Sequence, residues 1–168
     1  MTPATIVCGR RVKNPISTAR KYSTRLTPAE LADNMRPIRA SLAAAVAGVS
    51  TLLQWHVLDT QAELATEIER TRIVRGLSGH ITQAQAALES WAWRAMATGN
   101  WRPVPLEFAE QDALATFVDL HEFQLQQLSA GEIYRASQRM VARVQSAGGQ
   151  VLHVGHGQIS NTPKFSEE

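Results

Sequence analysis

An all-α fold, a bundle of four or five helices with a C-terminal αα-hairpin, is what this sequence predicts. Three observations carry the prediction. Apolar residues recur at helical spacing through most of residues 27–149. Three sites have the hydroxyl-x-x-Glu/Gln form of a capping box, in which side chains satisfy the free amides of a helix start. They are Thr27 with Glu30, Thr51 with Gln54, and Ser129 with Glu132. Strand-like runs are confined to residues 4–8 and 151–154, each followed by a glycine; pairing them would make a small two-stranded ribbon joining the termini.

The elements follow in order. Residues 1–26 read as a basic N-terminal arm carrying a short strand, residues 27–149 as a helical domain, and residues 150–168 as a short strand and flexible tail. The first helix starts at Thr27, with Pro28 at its first position. Leu31, Met35, Ile38, Leu42 and Val46 form its stripe, Pro37 should kink it, and Gly48 marks its end. A second helix follows the Thr51 cap, with Trp55, Leu58, Ala62, Ala65 and Ile68 as its seam. Glu63, Glu67, Glu69, Arg70 and Arg72 read as a solvated face with local ion pairs.

The pattern then continues through Val74, Leu77, Ile81, Ala84, Leu88, Trp91 and Ala95, with Gly76 and Gly79 as rival places for a break. Gly99-Asn100 ends that helix. After Pro103 and Pro105 comes the clearest stretch, with Leu114, Phe117, Leu125 and Leu128 at helical spacing and His121 among them. Beyond the Ser129 cap, Ile133, Ala136, Met140, Val144 and Ala147 form the last stripe, which Gly148-Gly149 closes.

Composition bounds the class. Of 168 residues, 44% are hydrophobic and 19% charged, which fits a folded globular chain. The single cysteine, Cys8, leaves no internal disulfide framework and fits a reducing compartment, so a cytoplasmic protein is expected. Arg10-Arg11 has the look of a twin-arginine signal but is followed by no apolar run. Residues 40–58 lack a formal charge over a near-membrane length, yet their alanines, serines and Gln54 read as small-residue helix packing. The net charge of +2 hides an asymmetry. Residues 1–29 hold Arg10, Arg11, Lys13, Arg20, Lys21 and Arg25 and no acid, whereas residues 30–152 hold ten basic and thirteen acidic side chains.

Patterns for catalysis and metal binding are incomplete. None of the five histidines follows a glutamate by three residues, as di-iron bundles require. His121-Glu122 opens a zinc-protease pattern that Leu125 breaks. His153 and His156 would meet Cys8 only through the terminal ribbon. Gly76-Leu-Ser78-Gly79 is one residue short of a nucleophile elbow. No metal and no cofactor is expected, and an enzyme is the least favoured class; it would require a cleft where His121 meets Glu122 or another polar side chain.

Two features point to binding. Trp91 and Trp93 lie about 200° apart on a helix, so with Trp91 in the stripe Trp93 points away from it. Either a second neighbour covers Trp93, or it is an exposed contact that Trp101 can join. Arg135, Arg139 and Arg143 form one row along the last helix, away from its apolar stripe. With Arg10, Arg11, Lys13, Arg20, Lys21 and Arg25 of the arm they could contact phosphate; a solvated helix face is the alternative.

Three phrases carry a resemblance: T-I-V-C-G-R-R-V-K near the start, R-I-V-R-G-L at 72–77, and F-V-D-L-H-E-F-Q-L-Q-Q-L-S at 117–129. In these the chain resembles small helical accessory proteins, of unassigned role, from phages, plasmids and integrated elements of proteobacteria. The resemblance implies an accessory or regulatory factor of a mobile element that acts by binding, with no catalytic residue. A protein partner is the first expectation and nucleic acid the second; self-association is compatible with both, and no membrane is expected.

Overall fold

A computed structural model of the protein describes residue 19 and residues 22–147. Within them the chain is all-α: α1 (Pro28–Val46), α2 (Leu52–Arg70), α3 (Ser78–Ala95), α4 (Phe108–Gln127) and α5 (Ala130–Ser146). The two strand-like runs, their ribbon, the closing glycine pair, Cys8, His153 and His156 lie outside the described residues.

The three capping boxes form as their residues dictate. Thr27 accepts from the Glu30 amide while the Glu30 carboxylate accepts from the Thr27 amide. Thr51 with Gln54 and Ser129 with Glu132 repeat the exchange. α1 runs as one helix through Pro37. Its buried positions are Leu31, Met35, Ile38, Ser41 and Ala45, so beyond Ile38 the core takes the small residues. Leu42 is only partly buried and Val46 is exposed. Small side chains let neighbouring helices approach closely, and that outweighs residue size in choosing the inward face.

Of the two rival break points Gly76 is the one used: it takes φ +89 in the connection 71–77, with Arg72 at φ 60, whereas Gly79 lies inside α3. Glu69 fixes the connection. Its Oε1 accepts from the amides of Gly76 at 2.9 Å and Leu77 at 3.2 Å, so a carboxylate at the end of α2 serves the start of α3. Glu69 is therefore not part of a solvated face. Neither is Glu67, which is 5% exposed and meets Arg70 at 2.6 Å and Arg143 at 2.8 Å.

α1 packs on α2 and α4, and α3 packs on the same two, giving a four-helix core. α4 and α5 follow one another through the extended pair Leu128 (φ −101, ψ 148) and Ser129 (φ −75, ψ 156). The expected C-terminal hairpin is thus a corner: α5 crosses to pack on α2 rather than folding back along α4. Ala136 and Met140 of α5 enter the core, and Arg143 pairs with Glu63 at 2.9 Å and Glu67 at 2.8 Å on α2. No described helix is long and apolar enough to cross a membrane. The uncharged run at 40–58 is divided by the turn between α1 and α2.

Candidate functional site

Alternation of helix direction gathers the α1–α2 turn, the end of α3 and the start of α4 at one end of the bundle, and specific bonds lock them there. Trp101 Nε1 donates to Ser50 O at 2.8 Å, Trp91 Nε1 to Val104 O at 3.0 Å, and Arg102 N to Ala95 O at 2.9 Å. Gly48, at φ +70, lies against Pro105; a Cβ there would stand 3.4 Å from it.

Arg94 on α3 grips the Glu110 carboxylate of α4 with both guanidinium nitrogens. Burial alone pushes the Glu110 carboxyl up. Hydrogen bonds from Arg94, the Glu107 amide and Ser90, with the Arg94 charge, more than offset this and hold it below the usual carboxylate range.

This locked end leaves large apolar side chains in water. Trp93 is 83% exposed and Phe108 is 88% exposed, with Val49, Leu53 and Met96 also exposed. Of the two expected outcomes for Trp93, the exposed one holds: no described helix covers it. Trp101 does not join it. Its ring packs edge-on against Trp91, with centroids 5.6 Å apart, and near Trp55 at 6.3 Å, so it belongs to the border of the core. The physical reason is the Ser50 carbonyl, which captures the indole N–H of Trp101 and turns the ring inward. Phe108 was not singled out from the sequence. The available signal was its offset from the Leu114 and Phe117 stripe.

The basic elements divide. Arg10, Arg11, Lys13, Arg20 and Lys21 lie outside the described residues. Arg25, Arg135 and Arg139 are exposed. Arg143 leaves the expected row, because its guanidinium is engaged by Glu63 and Glu67. Arg25 and Arg135 approach the same carboxylate, Glu132. Hydrogen bonds from the Ser129 amide and hydroxyl are the main reason that carboxyl is held low, and both arginines add to it.

That meeting arises because residues 22–26, expected to belong to the arm, are docked on the start of α5. Ala130 N donates to Thr24 O at 2.9 Å, Arg25 forms an antiparallel bridge with Ser129, and the Tyr22 ring lies 5.8 Å from that of Tyr134. Neither tyrosine was identified from the sequence, since their contact depends on this docking.

His121 is 1% exposed and stacks on Phe117, with ring centroids 5.6 Å apart. Its Nδ1 is 3.2 Å from Gln124 Oε1 and its Nε2 is 3.1 Å from Gln61 Oε1. Burial lowers its pKa to about 4, only partly opposed by the Gln124 bond, so the imidazole is neutral near pH 7. Glu122 does not meet it and pairs with Arg39 instead. The polar side chains that His121 meets are instead Gln61 and Gln124. Among the described residues no cluster of three His, Cys, Asp or Glu side chains is arranged to hold a metal ion.

No protein-family model, no curated protein and no solved structure matches this chain.

Proposed function

We propose that this chain is a non-enzymatic accessory or regulatory protein that binds a protein partner through the apolar end centred on Trp93. The supporting observation is the placement of Trp93. Trp91, two residues earlier, is fully buried, whereas Trp93 stands 83% exposed on the opposite face of the same well-packed helix. Burying a tryptophan removes on the order of 200 Å² from water. That is about 4–5 kcal/mol of gross driving force before ordering costs. Phe108, Val49 and Met96 at the same end supply the apolar surroundings of a contact centre.

The setting, a phage, plasmid or integrated element, rests on the resemblance of the three sequence phrases, and the cytoplasm is the compartment that a single cysteine favours. Self-association through the same end is compatible with this function.

The experiment compares proteins retained from host extract by the full chain and by Trp93→Ser, alongside sedimentation of both. Trp93 makes no described ring contact or hydrogen bond, so the variant should melt within about 2 °C of the parent. We expect it to lose a retained protein or a self-associated species. Identical retention and identical sedimentation would overturn the reading.

A further inference from the structure

We propose that the face formed by residues 22–26 and α5 binds single-stranded nucleic acid, with one base stacked at the Tyr22–Tyr134 pair and neighbouring phosphates on Arg25, Arg135 and Arg139. This site is separate from the Trp93 end and does not depend on it.

The face is built rather than incidental. Two backbone attachments, Ala130 N to Thr24 O and the Arg25–Ser129 bridge, fix the segment across the first turn of α5. Gly131 makes the approach possible: a Cβ at that position would stand 2.7 Å from the Tyr22 carbonyl oxygen. The result is a pair of tyrosines with centroids 5.8 Å apart and planes tilted by 52°, exposed to 45% and 52%. Beneath them lies a cavity of about 440 Å³. Leu26, Leu125 and Ile133 supply its apolar wall, and Asn34, Gln61 and Ser137 supply polar atoms. Half-exposed rings at the mouth of such a cavity offer a flat π surface, on which any base can stack.

The charges match. Among the described residues Arg25, Arg135 and Arg139 take part in no ion pair, unlike Arg39, Arg94 and Arg143. Glu132, the acid between Arg25 and Arg135, is already committed to the Ser129 amide at 2.7 Å and hydroxyl at 2.8 Å. The sequence leading into Tyr22 holds Arg10, Arg11, Lys13, Arg20 and Lys21 with no acid, which adds to the positive charge that a polyanion meets on this chain. A duplex keeps its base faces stacked internally and would use only the arginines. A single strand can use arginines and tyrosines together.

The test uses the full chain with fluorescent 20-nucleotide oligothymidylate DNA, oligouridylate RNA, a 20-base-pair DNA duplex and polyglutamate, each across a salt series. We expect both single strands to bind more tightly than the duplex and polyglutamate, and the tighter of the two identifies the natural strand. Tyr134→Leu keeps apolar bulk but removes the ring, and should weaken single-strand binding at least about fivefold while leaving the duplex unchanged. Arg135→Gln with Arg139→Gln should lower the slope of log affinity against log salt by about 1.4 for a single strand. Absence of binding, equal affinity for polyglutamate, or single-strand binding untouched by Tyr134→Leu would overturn the proposal.

Discussion

His121 shows most directly how surroundings decide the role of a single residue. Its position in an apolar stripe is legible from spacing, but its chemistry is not, because Gln61 comes from another helix. A neutral imidazole carries one N–H. It faces two carboxamide oxygens, Gln124 Oε1 at Nδ1 and Gln61 Oε1 at Nε2, and can donate to only one of them, while the Gln124 amide is held by Ala65 O at 3.4 Å. The pKa near 4 in the folded protein lies below the ordinary value of about 6.5, so the unfolded chain binds the extra proton first. Stability is therefore full above about pH 6.5 and falls as pH drops from there toward 4, by about 3 kcal/mol in all. Urea unfolding at a series of pH values should show this fall, and His121→Gln should remove it; equal pH slopes for both proteins would count against the assignment.

At the scale of the element, helix starts were legible and helix neighbours were not. Thr27, Thr51 and Ser129 act on amides within three residues, so their chemistry is local and could be read directly. The start of α3 lacks such a cap because its partner, Glu69, belongs to the preceding helix. That bond spans seven residues and depends on the turn formed by Arg72 and Gly76. Glu69→Ala should cost about 1–2 kcal/mol in chemical unfolding, and Glu69→Gln less, since it keeps an acceptor oxygen but loses the charge. An alanine variant as stable as the parent would show that the carboxylate is not serving as the cap. The inward face of α1 carries the same lesson: Ser41 and Ala45 face the core because α2 and α4 lie close there, which apolar spacing alone could not weigh.

For the whole molecule, the decisive arrangement is α5 lying on α2. It removes Arg143 from the arginine row, buries Glu67, and leaves Arg135 and Arg139 exposed, with Arg135 and Arg25 near the same Glu132 carboxylate. Arg143→Ala would leave Glu67 with Arg70 as its remaining partner and should cost about 1–3 kcal/mol, because a buried carboxylate loses one of two cations. Thermal melts of this variant and of Glu67→Gln with Arg143→Ala measure it; the double variant should recover part of the loss, and no loss in the single variant would contradict this role. The same assembly sets the Trp93 end and the tyrosine face on different parts of the surface, so substitutions at one should leave binding at the other unaltered.

The sequence by itself determined the all-α class, the capped starts of three helices and most inward-facing residues. Those follow from interactions within about one helical turn, where spacing and residue type suffice. Only the tertiary structure decided which exposed positions could serve a partner. Trp93 and Trp101 look equivalent in the chain, yet one indole N–H is captured by Ser50 and the other ring finds no neighbour. Likewise Arg139 and Arg143 lie one turn apart, and only Arg143 reaches the carboxylates of α2. The physical reason is distance along the chain: Arg143 lies 80 residues from Glu63 and Trp101 lies 51 from Ser50. Such contacts exist only after the helices have packed.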